Sequence, residues 1–228
     1  MYVTFNKDAN NSTTQIPLGL VNEGEILTTQ IHTLKAGQPL FYEGDKSEFV
    51  YQVLEGLLRT TKVMANGRRQ VLTFGYPDDI VGLSHDCCYH NDCEAVVPTK
   101  ILVLKKNACS INNGTDQVLF DRLLKLAACE VSNMQEHFMM LGRKSAIEKI
   151  ASFLLAIGSR TGHVENGRIA FNLPMKRSDI ADFLGLTIET VSRVLTQLRK
   201  DGLIDLKNPH EVSILKKNAL CELADSDD

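Results

Sequence analysis

Three polar side chains, Glu189, Ser192 and Arg193, lie within five residues of each other in a segment whose apolar residues recur with helical spacing. On an α-helix, residues three and four apart share one face. A carboxylate can accept from cytosine N4, a guanidinium can donate twice to guanine, and a hydroxyl can serve either base type. The trio therefore has the chemistry of base readers on a helix that enters the major groove. The alternative is an ordinary surface pair between Glu189 and Arg193.

The segment that carries the trio is predicted to be the second of two short helices. Ile180, Ala181 and Leu184 mark the buried side of the first helix, and Gly185 supplies the left-handed residue that ends it. Thr187 is a suitable N-cap for the second helix. The buried face of that second helix consists of Val191, Val194, Leu195 and Leu198. Two helices joined by so short a turn predict a helix-turn-helix.

Basic and hydroxyl side chains around this motif suit contacts to phosphates, which add affinity and salt dependence without specificity. The expected phosphate contacts are Lys176, Arg177, Thr187, Thr190 and Arg199. Residues 141–217 carry 13 Lys and Arg against 8 Asp and Glu, although the whole chain has a net charge of −3. This basic block inside an acidic chain favours a polyanion as partner. Lys176 stands where a cap acceptor is expected, so the first turn must find its cap elsewhere.

A second group of reactive side chains lies in the segment 84–93. It contains His85, Cys87, Cys88, His90 and Cys93. Thiolate and imidazole suit zinc or copper, and exposed thiols can be oxidised. Three interpretations stay open at this point: a passive loop, a thiol redox sensor and a metal site.

The sequence pattern before residue 115 is typical of an all-β domain. Glycines recur at close to one per predicted strand, and the pieces between them are rich in β-formers. Asn66 and Gly67 form the sharpest hairpin signal, because both turn positions tolerate positive φ. We therefore expect a compact β-barrel or roll over residues 23–115.

From about residue 116 the period changes to that of a long helix. One apolar stripe with spacings of four and three consists of Phe120, Leu124, Ala127, Val131, Met134, Phe138 and Leu141. So narrow a stripe packs helix on helix, either within the domain or between two copies. The predicted helix, residues 116–141, is roughly 38 Å long at 1.5 Å per residue and outruns a small barrel. Its length favours a homodimer.

The remaining segments flank these modules. Residues 146–159 predict a helix, 168–173 a strand, and 203–215 a closing hairpin, so that 142–217 form one winged module. Residues 1–22 are expected to be a flexible lead. Residues 218–228 are expected to be an acidic tail, disordered from Cys221 onward. The predicted fold class is α+β.

Composition excludes several classes of protein. The chain of 228 residues has no apolar run of the roughly 18–20 residues that a membrane span needs. The N-terminus does not read as a signal peptide, so we expect a cytoplasmic protein, in which six cysteines do not form a disulfide framework. No catalytic triad, nucleophile elbow, phosphate-binding loop or zinc-protease motif is present, so we expect neither an enzyme nor a cofactor.

The run Asp-Ile-Ala-Asp-Phe-Leu-Gly-Leu-Thr-Ile-Glu-Thr-Val-Ser-Arg, residues 179–193, resembles the helix-turn-helix of the CRP/FNR superfamily of bacterial transcription regulators, and its FNR and FixK branch in particular. The resemblance covers nearly the whole chain. It implies a cyclic-nucleotide-binding-type β-roll, a dimerisation helix and a winged helix-turn-helix. It also implies a homodimer on double-stranded DNA of the type TTGAT-N4-ATCAA, read by Glu189, Ser192 and Arg193, and a contact of residues 158–167 with RNA polymerase.

The chain also departs from the family's pattern. Cyclic-nucleotide binders of the family hold ribose and phosphate with a Gly-Glu and an Arg-Ser/Thr pair, where this sequence has Gly82-Leu83 and roughly Asp92-Cys93. The N-terminal cysteines that hold an iron–sulfur cluster in FNR are missing, since the first cysteine is Cys87. We expect a transcription regulator, more an activator than a repressor, that binds neither a cyclic nucleotide nor an iron–sulfur cluster. The alternative is a regulator gated through the β-roll by a small molecule, a thiol or a metal.

Overall fold

The structure, a computed structural model, describes residues 30–106, 117–165 and 167–225. The predicted lead at 1–22 and the boundary predicted at 115/116 lie outside these residues. Within them the chain builds an N-terminal β-roll, one long helix and a C-terminal module of helices around a small sheet. The predicted α+β class is confirmed.

The β-roll consists of two four-stranded antiparallel sheets, ordered β1-β8-β3-β6 and β2-β7-β4-β5. Its strands are β1 (Gln30–Leu34), β2 (Pro39–Phe41), β3 (Phe49–Glu55), β4 (Leu58–Val63), β5 (Arg69–Gly75), β6 (Ile80–Val81), β7 (Asp92–Ala95) and β8 (Thr99–Lys105). Strands β4 and β5 pair as a hairpin that turns at Asn66 and Gly67, as predicted. Gly67 has φ +78°, a conformation that disfavours any side chain.

Helix α1 (Gln117–Arg143) follows the β-roll and has 27 residues. Its bounds lie within two residues of the prediction. Asn133, His137 and Met140 are buried against the rest of the same chain. Among the described helices, none combines the length and the apolar character needed to cross a bilayer.

In the described residues the C-terminal module packs four helices against one four-stranded antiparallel sheet of order β11-β12-β10-β9. Its elements are α2 (Ala146–Thr161), β9 (His163–Glu165), β10 (Arg168–Asn172), α3 (Arg177–Leu184), α4 (Ile188–Lys200), β11 (Ile204–Asn208), β12 (Glu211–Ile214) and α5 (Lys217–Ala224). Strands β11 and β12 form the predicted hairpin beside the helix-turn-helix. Strand β9 lies between the predicted helix and the predicted strand, where the sequence analysis expected no strand, and it pairs with β10.

The prediction of disorder from Cys221 onward is wrong for residues 221–224, which belong to α5. Leu220 and Ala224 are buried, and the Lys144 ammonium donates to the backbone oxygen of Ala224. Two helical turns without a side-chain cap give only a weak signal in the sequence, because a helix this short is stabilised by its packing and not by its own propensity.

One hydrophobic core joins the β-roll to the C-terminal module. Leu57, Val71, Phe74 and Tyr76 from the β-roll belong to the same buried cluster as the helix-turn-helix. The rings of Phe74 and Phe183 lie with centroids 5.3 Å apart. The two modules therefore share buried surface, which fixes the helix-turn-helix relative to the sheets.

Buried ion pairs connect the same two modules. The Asp179 carboxylate on α3, only 1% exposed, receives one guanidinium from Arg59 on β4 and a second from Arg69 on β5, the latter at 2.7 Å. Arg69 also donates to Asp182 at 2.7 and 2.9 Å. The other Asp179 oxygen accepts from the backbone N–H of Lys176 at 3.2 Å. Asp179 thus supplies the cap that Lys176 lacks and anchors α3 to the β-roll.

A second pair links α2 to the turn between β5 and β6. Arg160 donates to the Asp79 carboxylate, which is 1% exposed, and its guanidinium lies 5.0 Å from the Tyr76 ring centroid. Burial raises the pKa of Asp79, while the charge of Arg160 opposes that shift. Arg160 is therefore engaged within the chain.

We expect Arg59→Met to lower the free energy of unfolding by about 3 kcal/mol, because it leaves a buried carboxylate with one guanidinium in place of two. The matched control is Lys62→Met on the same strand, which removes a more exposed pair with Glu43 and should cost less than about 1 kcal/mol. Urea unfolding of both variants at one protein concentration measures the difference. Equal effects would mean that the Asp179 cluster does not join the modules energetically.

We also expect stability to fall between pH 7 and pH 5 through His137. Burial, aided by the charge of Lys149, lowers the pKa of His137 to about 4 from its ordinary 6.5. The unfolded chain then binds more protons, so the stabilisation is present above pH 6.5 and declines as the pH falls toward 4. The expected loss at pH 5 is about 2 kcal/mol.

The variant His137→Phe should remove that part of the pH dependence, since it cannot take up the proton. Exposed His163 provides the control: His163→Phe should leave the dependence unchanged. Denaturant unfolding at pH 5, 6 and 7 measures each slope. A slope in His137→Phe equal to that of the parent chain would contradict the role assigned to His137.

Candidate nucleic-acid interface

Helix α4 is amphipathic and capped at its start. Val191, Val194, Leu195 and Leu198 are buried, as the sequence predicted. The Thr187 hydroxyl accepts from the backbone N–H of Thr190 at 3.2 Å, which makes Thr187 the N-cap. Gly185, with φ +64°, ends α3 and lets the chain turn into α4. The predicted helix-turn-helix is therefore present with its turn and cap chemistry.

The three predicted base readers lie on the outside of this helix. Glu189, Ser192 and Arg193 are all exposed in its first two turns. The pKa of Glu189 is held below its usual value by hydrogen bonds from its own backbone amide and from the Thr187 hydroxyl. The carboxylate is thus ionised and can accept from a base amine, while the guanidinium of Arg193 can donate.

A shallow groove runs along the same face of α4. It is lined by Ser192, Arg193, Thr196, Gln197, Lys200 and Asp201. Hydrogen-bond donors and acceptors line the groove, which is open to solvent along the helix. The surface therefore suits an extended polar partner.

The basic residues expected to contact phosphates differ in how accessible their side chains are. Lys176 and Arg199 are exposed. Arg177 instead donates to the backbone oxygen of Pro209 at 3.0 Å, and burial lowers its pKa. It braces the start of α3 against the β11–β12 turn. That turn is held further by the His210 ring nitrogen, 2.9 Å from the Leu173 oxygen.

The apolar stripe of α1 lies largely uncovered. Leu124, Val131, Met134 and Phe138 are between 48% and 75% exposed, while Ala127 and Leu141 are partly buried. The Phe120 side chain lies outside what the structure describes. At its C-terminal end the stripe also faces its own chain, because Met134, Phe138 and Leu141 line a pocket with residues of β5. More than half of the surface of Leu124, Val131 and Phe138 is nevertheless uncovered in the described chain.

The five reactive side chains of segment 84–93 do not come together as one group. Cys93 lies in β7, fully buried, and burial raises the pKa of its thiol to about 12. It is therefore excluded from the expected redox or metal set, because its thiol stays protonated and inaccessible. Cys87 and Cys88 are exposed. His85 and His90 instead meet at Asp86, which the sequence analysis did not single out.

Aromatic rings occupy the interior of the β-roll near Gly82. The rings of Phe41 and Tyr89 stack with centroids 3.9 Å apart, and Tyr51 lies 5.9 Å from Phe41. The Tyr89 hydroxyl donates to the backbone oxygen of Phe49 at 2.7 Å. A Cβ at Gly82 would meet the Tyr51 and Tyr89 rings at 3.2 Å, so this corner is closely packed.

Comparison with known protein families supports the assignment of both modules. Residues 31–110 match the cyclic nucleotide-binding domain, and residues 148–223 match the Crp-like helix-turn-helix domain. The second match includes most of α5, which the sequence analysis placed outside the module.

Similar proteins cover most of the chain. The nitrogen fixation regulation protein FixK of Azorhizobium caulinodans is 38% identical over 81% of this chain and 75% of its own length, and FixK of Rhizobium meliloti is 35% identical over 85% and 86%. The structure of FixK2 from Bradyrhizobium japonicum superposes with a TM-score of 0.79 at 32% identity, covering 88% of this chain and 99% of that one. The chain therefore belongs to the CRP/FNR family of DNA-binding transcription regulators, in its FixK-like branch.

Proposed function

We propose that the chain acts as a homodimer that binds a two-fold symmetric DNA site of the type TTGAT-N4-ATCAA and activates transcription. The observation that carries the proposal is the exposure of Glu189, Ser192 and Arg193 on the first turns of a capped helix whose other face is buried. A recognition helix presents its base-reading side chains at these positions. Arg193 is assigned to guanine and Glu189 to cytosine, with Ser192 between them.

The homodimer rests on the uncovered stripe of α1. Exposed Leu124, Val131 and Phe138 lie along one side of a helix about 40 Å long, which suits a pair of parallel helices. Two copies related by a two-fold axis would place two α4 helices in major grooves about 34 Å apart, the spacing of one helical turn of DNA. A palindromic site with its half-sites one turn apart matches this symmetry.

A contact between residues 158–167 and RNA polymerase is the activating part of the proposal. Val164 on β9 is 78% exposed, between exposed His163 and Glu165. All three side chains are therefore accessible to a protein partner. Arg160 is not assigned to this contact, because it pairs with buried Asp79.

We also infer that the regulator works without cyclic nucleotide or an iron–sulfur cluster. Stacked Phe41 and Tyr89 with Tyr51 pack the β-roll interior beside Gly82. The Asp92 carboxylate, near the position where the family's nucleotide binders carry the Arg-Ser/Thr pair, accepts from the backbone N–H of Glu43 at 2.8 Å. A phosphate there would meet a negative charge where a guanidinium is needed.

Arg193→Ala should weaken binding to a TTGAT-N4-ATCAA duplex by about 1–3 kcal/mol, or roughly 5- to 150-fold, for each half-site, because each subunit loses its bidentate contact to guanine. The variant should also stop distinguishing this duplex from one in which that guanine is replaced. Gel-shift titrations on both duplexes at fixed salt measure the affinity and the discrimination. The parent chain serves as reference for each duplex.

Arg199→Ala is the matched control, since we assign that exposed guanidinium to a phosphate. It should weaken binding to both duplexes by a similar factor and reduce the dependence of affinity on salt. If Arg193→Ala shows this uniform pattern as well, the role of Arg193 as a base reader is wrong.

Val131→Asp should convert the dimer to a monomer, because it buries a carboxylate in the apolar seam between two α1 helices. Val63→Asp is the control, since Val63 is 52% exposed and Val131 is 54% exposed. Sedimentation velocity measures the mass of each variant, and gel shifts measure the accompanying loss of DNA affinity. A parent chain that sediments as a monomer, or a Val131→Asp dimer, contradicts the proposed interface.

A further inference from the structure

We propose that the loop between β6 and β7 holds a divalent transition-metal ion through His85, Asp86 and His90. The site lies in the β-roll and shares no residue with α4 or with the stripe of α1. Metal binding at this loop does not depend on whether the chain binds the proposed palindrome. The probe ion is Zn²⁺.

The three donor groups already face one another. Their ligand atoms all lie within 4.8 Å of each other. His90 Nε2 is 2.9 Å from Asp86 Oδ1, and His85 Nε2 is 4.0 Å from Asp86 Oδ2. Tetrahedral zinc with bonds near 2.1 Å requires donor atoms about 3.4 Å apart. Small side-chain rotations at exposed positions therefore suffice to complete the coordination.

The backbone that carries these donors is fixed by hydrogen bonds to the neighbouring segment. Ser47 donates through its backbone N–H to the Cys87 oxygen at 2.8 Å and through its hydroxyl to the Asp86 oxygen at 2.7 Å. The side chain of Tyr89, within the same loop, is buried in the core of the β-roll. The loop is thus anchored at Asp86 and at the residues that follow it, which lowers the cost of organising a site.

The Asp86 carboxylate is also oriented by groups that are not metal ligands. The Ser84 hydroxyl lies within hydrogen-bond distance of two acceptors, Oδ1 at 2.8 Å and the Cys88 backbone oxygen at 2.6 Å, and the backbone N–H of Cys88 donates to Oδ1 at 3.4 Å. These bonds leave Oδ2 turned toward His85. Outer hydrogen bonds of this kind hold ligands in place at metal sites and raise their affinity.

The donor set selects a class of ion. Two imidazoles with one carboxylate suit Zn²⁺, Ni²⁺, Cu²⁺ or Fe²⁺, whereas Ca²⁺ and Mg²⁺ prefer all-oxygen sites. Three protein donors leave at least one position for water. Neither Cys87 nor Cys88 belongs to the group that meets within 4.8 Å, so we assign the ion to nitrogen and oxygen donors.

The test is a Zn²⁺ titration of the full-length, chelator-treated and reduced chain, followed by calorimetry. One ion per chain is expected. His85→Ala and His90→Ala should each weaken binding roughly tenfold or more, because even removing an outer partner of a ligand costs that much. His163→Ala, which changes an exposed histidine on β9, should leave the affinity unchanged.

A second measurement separates imidazole from thiolate ligation. The double variant Cys87→Ser with Cys88→Ser should keep the zinc affinity of the parent chain. Titration with Co²⁺ should give visible bands without the intense near-ultraviolet absorption of a cobalt–thiolate bond. Absent zinc binding, binding that survives both histidine substitutions, or binding lost only in the cysteine variant would each overturn the proposal.

Discussion

The position of the recognition helix depends on one buried carboxylate. Asp179 sits at the start of α3, where it caps the helix through the Lys176 N–H and receives guanidinium groups from two neighbouring strands of the β-roll. Asp179 is 1% exposed, so these partners replace the water contacts that its carboxylate loses on burial. Arg59 and Arg69 therefore hold α3 against the sheet, and the short turn at Gly185 transmits that position to α4.

The same contact region includes the long helix. His137 of α1 packs its ring 4.2 Å from that of Phe183 on α3, and Phe183 in turn meets Phe74 of the β-roll. The Phe183 ring of the C-terminal module thus contacts both α1 and the β-roll. Because the outer face of α1 carries the proposed dimer seam, a shift of that seam would act on α3 through His137. In the proposed dimer, the packing of the two α1 helices would then also set the positions of the two α4 helices.

Local features of this fold follow from the sequence, because their causes are local. The Asn66-Gly67 turn, the left-handed Gly185 and the Thr187 cap each depend on one or two neighbouring residues, and the structure confirms all three. The period of α1 is equally local. Features that depend on distant partners were missed. Arg69 lies 110 residues from Asp179, and nothing in the spacing of either residue indicates the other.

The errors have the same physical origin. The contact of Arg177 with the Pro209 oxygen was not predicted, because the two residues are 32 positions apart. Helix α5 looked disordered because its stability comes from the burial of Leu220 and Ala224. Cys93 looked like a ligand beside Cys87 and Cys88, but alternation along β7 turns its thiol into the core. Asp86 escaped notice because only the folded loop places its carboxylate between two imidazoles.

Exposed and buried charged residues have different roles in this molecule: the exposed ones are available to DNA, whereas the buried ones stabilise the fold. Glu189 and Arg193 are exposed, and in the proposed complex they contact DNA bases. Asp79 and Asp179 are buried and already paired within the chain. Substitutions at the first pair should therefore alter which sequence is bound while the fold persists. Substitutions at the second pair should loosen the fold first and weaken binding to every DNA sequence alike, because the orientation of α4 is lost before its chemistry.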